Sequence, residues 1–219
     1  LSNKIPVISE IEFASKFTSS KIIGITGSNG KTTTTMMVHQ ILKDAEIDVL
    51  MAGNIGDSFA KLVAENNYEY VVLELSSFQL DGIVKFRPHI AIITNITPDH
   101  LDRYNHSFEA YRDAKFRISM NQQPSDYFIY DADDIAISEG INKWNIQAKQ
   151  IPYAIAIEQN EGAYTKNNQI HSIIENNHFM IPIQSLSLKG QHNAKNSMAA
   201  ATVAQLIKIR KQTIKECLQ

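Results

Sequence analysis

Short, nearly uninterrupted apolar runs recur along the chain: KIIGIT (21–26), DVLMAG (48–53), YVVLEL (70–75), HIAIITN (89–95) and DYFIY (126–130). Stretches of helical spacing or length lie between them. Lys31 to about Lys43 carries Met37, Val38, Ile41 and Leu42 at helical intervals, and residues 57–66, 107–120 and 132–141 have helix length. Strands that are apolar on both faces and alternate with helices predict an α/β fold with a mostly parallel sheet flanked by helices. Residues 147–188 break this rhythm, with short strand-like runs joined at Asn167–Asn168 and Asn176–Asn177, and predict a small antiparallel hairpin region. After Gly190 an alanine-rich helix is expected over about 193–209. Thr213-x-x-Glu216 then has the form of a capping box opening a last helix.

Composition narrows the picture only a little. The 219 residues suffice for one substantial core, and 43% apolar with 20% charged residues is ordinary for a globular protein. A formal net charge of −2 gives no reason to expect nucleic acid as a partner. Cys217 is the only cysteine, which excludes an intramolecular disulfide and a thiolate zinc cluster and suits a reducing cytoplasm. No apolar run approaches the roughly 20 residues that span a bilayer, so no membrane partner is expected. The chain opens without methionine and without a signal-peptide pattern, and the expectation is a cytoplasmic piece of a longer protein.

Candidate chemistry begins at the first run. GSNGKTT (27–33) follows a strand and opens a helix, the context of a phosphate loop. Its backbone N–H groups form an anion nest, Lys31 can reach the outer phosphates, and the Thr32 hydroxyl is placed for Mg²⁺. The fold is therefore expected to resemble that of the P-loop NTPases. The glycines do not fit the usual G-x-x-x-x-G-K-[ST] count, because the position five before Gly30 is Ile25; the glycines present are Gly24, Gly27 and Gly30.

Four further segments carry candidates. Glu74 ends a strand, where a carboxylate can complete a Mg²⁺ shell or be satisfied by water, Ser76 and Ser77. Asp99, His100 and Asp102 follow the run 89–95; Asp99 can cap a helix, and imidazole is not the usual Mg²⁺ ligand. Lys115 sits amid Phe108, Tyr111, Ala114 and Ile118 on one helix face. There it either snorkels to water or is desolvated, with a lowered pKa and a neutral amine available for chemistry. Asn193 and Asn196, three apart, can cap their helix or face a purine edge.

In this order and spacing the motifs resemble the muramyl peptide ligases, ATP-dependent enzymes that add amino acids to peptidoglycan precursors. The family loop G-x-x-G-x-x-G-K-[ST] matches Gly24, Gly27, Gly30, Lys31 and Thr32. The likeness continues through GNIG (53–56), ELSSFQL (74–80), TPDHLDRY (97–104), Ala114–Lys115 and GQHNAKN (190–196). ELSSFQL with DHLDRY looks most like the branch that adds D-glutamate to UDP-N-acetylmuramoyl-L-alanine through an acyl phosphate. Another ligase of the superfamily, for instance of the folylpolyglutamate type, and a non-catalytic nucleotide-binding module are the alternatives.

The resemblance implies roles residue by residue. Gly27, Ser28, Asn29, Gly30, Lys31, Thr32 and Thr33 would hold the ATP phosphates, and Asn193 and Asn196 would face the adenine. Thr32 and Glu74 would bind one Mg²⁺ and His100 a second, with Lys115 taking up CO₂ as a carbamate at that metal site. Lys31, Glu74, His100 and Lys115 would be the catalytic set, and Asn54, Ser76 and Gln79 would contact the muramoyl substrate. Residues 1–20 would be the remnant of an N-terminal uridine-binding domain and linker, and 21–219 the central ATP-binding domain. The C-terminal domain would be absent, and the expected piece is a monomer that does not complete ligation alone.

Overall fold

The computed structural model describes residues 5–155 and 157–219. A short helix α1 (Glu10–Ala14) precedes strand β1 (Lys21–Thr26), helix α2 (Lys31–Asp44), β2 (Val49–Gly53) and α3 (Phe59–Glu65). Next come β3 (Tyr70–Glu74), α4 (Ser77–Asp81), β4 (Ile90–Ile93), α5 (Phe108–Phe116), β5 (Tyr127–Asp131) and α6 (Ile135–Lys143). The remainder is β6 (Lys149–Ala154), β7 (Gly162–Lys166), β8 (Gln169–Ile174), β9 (Asn177–Pro182), α7 (Gln191–Leu206) and α8 (Lys211–Leu218). Among these described residues, no helix is long and apolar enough to cross a membrane.

The strands form one sheet in the order β2-β3-β1-β4-β5-β6-β7-β8-β9. Every pairing up to β6–β7 is parallel, and only β7–β8 and β8–β9 are antiparallel. The expected hairpins therefore begin later than residue 147, because β6 still pairs in parallel with β5. They also extend the main sheet. The turns at Asn167–Asn168 (φ 51° and 57°) and Glu175–Asn176 (φ 48° and 65°) have both central residues left-handed, which matches the twist of a two-residue hairpin. The second turn lies one residue before the expected Asn176–Asn177, since Asn177 pairs with Ile174.

Side chains of successive strand residues enter two different cores, which explains the uninterrupted apolar runs. Ile23, Ile25, Val72, Ile90 and Ile92 face α2, α7 and α8, whose Val38, Ile41, Met198 and Ile214 are buried there. Ile22, Val71, Leu73, Ala91 and Ile93 face the other layer, with Ile11 of α1, Phe59, Leu80, Phe116 and Ile137. Each fully buried Ile, Val, Leu or Phe side chain contributes roughly 1.5–3 kcal/mol. Helix α7 is buried along most of its length, and its run Ala199, Ala200, Ala201 lets its axis approach the sheet closely.

Helix α1 belongs to the second core. Glu12, at 1% exposure, accepts hydrogen bonds at Oε2 from the backbone N–H groups of Val84 (2.9 Å), Lys85 (2.8 Å) and Phe86 (2.7 Å). One carboxylate thus closes the loop between α4 and β4 onto the N-terminal helix.

Three details differ from the periodicity. Helix α4 was not apparent in it, although Ser76 and Gln79 form a capping box there. Residues 107–120 divide into α5 and a 3₁₀ turn, Arg117–Ser119. The last helix opens at Lys211, with Arg210 at its N-cap and no side-chain cap, so Thr213 and Glu216 lie inside it and do not form a capping box.

Candidate functional site

Strand β1 is the point at which the chain changes direction across the sheet: β2 and β3 lie to one side of it and β4 to the other. Crevices at such switch points, outside the carboxyl ends of the strands, are where open α/β sheets bind ligands. The loop 27–30 leaves β1 here. Gly30 is the N-cap of α2 with φ 81°, and it presents the helix N-terminus to the crevice. Gly27 adopts φ 148°, and a Cβ on it would stand 1.9 Å from Thr94 Oγ1. Gly27→Ala is expected to weaken nucleotide binding about tenfold, read by calorimetric titration, because the loop must move off the β4 exit to relieve the clash. Unchanged affinity would show that the close approach is dispensable.

Both lysines singled out in the sequence converge on this loop. Lys31 Nζ donates to the carbonyls of Gly27 (3.0 Å) and Ser28 (2.9 Å), and Lys115 Nζ donates to the same Gly27 carbonyl (2.8 Å). Lys115 is 2% exposed and lies 4.5 Å above the Tyr111 ring. It does not snorkel. Burial, reinforced by the charge of Lys31 and opposed by Asp99, lowers its pKa to about 7. A large fraction of neutral amine is therefore present near neutrality, the form needed for nucleophilic chemistry.

Beside the loop, Thr32 Oγ1 donates to Glu74 Oε2 (2.7 Å), and Asn54 Nδ2 donates to Glu74 Oε1 (2.9 Å). Glu74 is 2% exposed and is satisfied by these partners, not by Ser76 and Ser77. A hydroxyl from the first turn of α2 and a carboxylate at the end of β3 suit a hard cation that keeps several waters, as Mg²⁺ does. Among the described residues, no group of three or more His, Cys, Asp or Glu is arranged to hold a metal. Phosphate and water oxygens would have to complete any shell here.

The remaining candidates surround this centre. Ser76 and Gln79 cap α4 immediately after Glu74, with Gln79 Oε1 accepting from the Ser76 backbone (3.0 Å) and hydroxyl (3.1 Å). His100 has φ 49° and a 59% exposed side chain, 3.5 Å from Asp99. Asp102 is exposed. Asn193 and Asn196 are not caps, because Gly190 holds the N-cap position of α7. Asn196 Oδ1 accepts from Thr34 of α2 (3.2 Å), and its Nδ2 donates to Asn193 Oδ1 (3.3 Å). The start of α7 is thereby held against the phosphate loop, and Asn193, Asn196, Thr33, Asn29 and Gly30 line one cleft of about 580 Å³.

Several residues of this site were not singled out by sequence reasoning. Asn95 accepts from Asn29 N–H at Oδ1 (2.9 Å) and donates to the Asn29 carbonyl (2.8 Å), while Thr94 Oγ1 donates to that carbonyl (2.6 Å). Ser28 Oγ is held by Thr97 and by the Tyr111 hydroxyl (3.0 Å). These contacts commit part of the loop's hydrogen-bonding capacity to the β4 exit. On the far wall of the cleft, Lys195 bridges Asp131 (2.7 Å) and Asp133 (2.9 Å). The position of Asp131 at a strand end, like that of Glu74, was a readable signal. Its pairing with a lysine 64 residues away was not.

A family model described as the Mur ligase middle domain matches residues 25–204. The UDP-N-acetylmuramoylalanine–D-glutamate ligase of Christiangramia forsetii is 55% identical over 214 residues, 98% of this chain and 48% of that protein. The ligase of the same name from Streptococcus agalactiae is 41% identical over 222 residues, covering 100% of this chain and 47% of its own length. The chain thus spans about half the length of these relatives. Among solved structures, a UDP-N-acetylmuramate:L-alanyl-γ-D-glutamyl-meso-diaminopimelate ligase from Neisseria meningitides superposes with a TM-score of 0.72 at 16% identity, covering 95% of this chain and 68% of that one. A UDP-N-acetylmuramoylalanyl-D-glutamyl-2,6-diaminopimelate–D-alanyl-D-alanyl ligase from Acinetobacter baumannii gives 0.71 at 20% identity, covering 95% and 48%. The fold, the glycine spacing of the loop and a family match running from β1 to the end of α7 lead to one assignment: this chain belongs to the Mur ligase family, whose middle domain it carries.

Proposed function

We propose that this chain is the ATP-binding core of a cytoplasmic amide ligase that adds D-glutamate to UDP-N-acetylmuramoyl-L-alanine. The observation that carries the reading is the convergence of Lys31 and Lys115 on the Gly27 carbonyl, beside the Thr32–Glu74 pair. Positive charge, a sheltered amine and oxygen donors for a cation meet at one loop, which a phosphoryl transfer to a carboxylate requires.

In this reading a carboxylate oxygen of the muramoyl substrate attacks the γ-phosphorus of ATP, the bond to ADP breaks, and an acyl phosphate forms. The amine of D-glutamate then attacks the acyl carbon, loses a proton and expels inorganic phosphate. The N–H groups at the start of α2 hold phosphate oxygens, and Lys31 sets its ammonium against the transferring group. Asn193 and Asn196 face the adenine, while Asn54, Ser76 and Gln79 orient the muramoyl substrate. Thr32 and Glu74 would hold one Mg²⁺; His100 and Lys115, carbamylated by attack of its neutral amine on CO₂ with loss of a proton, would hold a second. Bound Mg²⁺ supplies charge neutralisation for the phosphate oxygens. The working enzyme in this reading is a longer chain, a monomer, in which 21–219 form the central domain and 1–20 the link to a preceding uridine-binding domain.

The test is phosphate release by the full-length protein with ATP, Mg²⁺ and UDP-N-acetylmuramoyl-L-alanine, assayed with each candidate amino acid and with a folate acceptor. Release is expected with D-glutamate, and none is expected from the 219-residue piece alone. Turnover with a different amino acid or a folate would replace the assignment.

A further inference from the structure

His100 is held by little of its own. Its backbone is left-handed, its ring is mostly exposed, and its partners are Asp99 and a tilted aromatic ring. That ring is Phe78 of α4, with its centroid 5.5 Å from the imidazole. Phe78 is itself gripped on several sides. The Arg103 guanidinium stands 4.2 Å from its centroid, and Tyr104 stacks on it at 6.2 Å with 16° between the planes.

Tyr104 is buried and anchored at two points. Its hydroxyl donates to Asp81 Oδ2 (3.0 Å) at the end of α4, and its ring meets Tyr111 of α5 edge-on at 5.6 Å. Tyr111 in turn touches the phosphate loop through Ser28. A continuous row of rings therefore runs from the imidazole at the rim to the loop at the centre. It crosses the α4 segment, the turn that carries His100 and the α5 helix that carries Lys115.

We infer that Tyr104, acting through Phe78, is a positioning residue for the His100 imidazole. Edge and offset-stacked ring contacts of this kind are directional, so the row fixes the plane and height of Phe78 and hence the wall against which the imidazole rests. Without Tyr104 the α4 segment and the His100 turn lose their shared anchor, and an exposed imidazole on a left-handed backbone has few contacts left to select its rotamer. The inference rests on the proposed role of His100 in holding a divalent cation.

The test uses the full-length protein and Mn²⁺ as a paramagnetic probe. Its affinity is read from water-proton relaxation in the presence of a non-hydrolysable ATP analogue. His100→Ala identifies the site that depends on the imidazole. Tyr104→Leu is expected to weaken Mn²⁺ at that site about tenfold, the usual scale for removing support behind a metal ligand, and to leave affinity for the ATP analogue within about twofold. Tyr104→Phe, which keeps the ring row, is expected to bind Mn²⁺ within about twofold of wild type. If Tyr104→Leu does not fold, Phe78→Leu removes the same wall from a less buried position, with the same expected loss. Wild-type Mn²⁺ affinity in the folded leucine variant, with His100→Ala impaired, overturns the inference. Unchanged affinity in His100→Ala overturns instead the metal role on which it rests.

Discussion

Lys115→Met is expected to reduce the ligase turnover proposed for the full-length protein about a thousandfold while making the fold more stable at neutral and acidic pH. The two effects have one origin. Lys115 is buried beneath the phosphate loop, and burial, with Lys31 nearby, lowers its pKa to about 7 from the ordinary lysine value of 10.5. Between these values the unfolded chain binds a proton that the folded chain does not. Stability therefore rises with pH from about 7 to 10.5, and the full cost of the buried ammonium is felt below 7. At about 1.4 kcal/mol for each pKa unit, the methionine variant gains a few kcal/mol at pH 6 and almost nothing at pH 10. Urea unfolding across that range checks the slope, and phosphate release checks the chemistry. A variant that keeps the wild-type slope would show that another group titrates there. Retained turnover would remove Lys115 from the reaction.

Glu12→Ala is expected to destabilise the fold by about 3 kcal/mol, because three backbone N–H groups lose a shared charged acceptor and the Phe86 N–H is left buried. Glu12→Gln should retain part of that loss, since an amide oxygen can still accept. Burial alone would raise the Glu12 pKa; the hydrogen bonds from Val84, Lys85 and Phe86, together with Lys16, outweigh it and lower the value below 4.5. The stabilisation is accordingly present above pH 4.5 and is lost as pH falls through the depressed value. Urea midpoints at pH 7 and at the acid end measure it. The difference between wild type and Glu12→Ala should shrink on acidification, and a difference independent of pH would mean that packing of α1, not the carboxylate, is responsible.

The two residues also mark how far the sequence could be read. Lys115 stood out because a lysine amid Phe108, Tyr111, Ala114 and Ile118 interrupts an apolar stripe, yet helical spacing left open whether the amine reached water. The answer depends on Tyr111 and Gly27 closing over it, and Gly27 lies 88 residues away in the chain. Glu12 offered no signal, since an acidic residue in a short N-terminal helix reads as surface. Its burial depends on a loop 72 residues further on. The same division appears within the α4 region. Ser76 and Gln79, expected as substrate contacts, form a capping box that depends on local spacing alone, but the contacts of Phe78 with Arg103 and Tyr104 require two segments that only the tertiary fold brings together.

By itself the sequence determined the alternation of strands and helices, the phosphate loop with its unusual glycine spacing, and the strand-end position of Glu74. These are local properties, carried by hydrophobic period, by the backbone freedom of glycine and by the neighbours of each residue along the chain. The tertiary structure alone decided that β1 lies between β3 and β4, that the hairpins extend the same sheet, that Asn95 and Thr94 brace the loop, and that Lys195 closes the cleft on Asp131 and Asp133. Each of these joins residues far apart in the chain. The energy of such contacts depends on burial and on the angle of approach, and neither quantity exists until the sheet has formed.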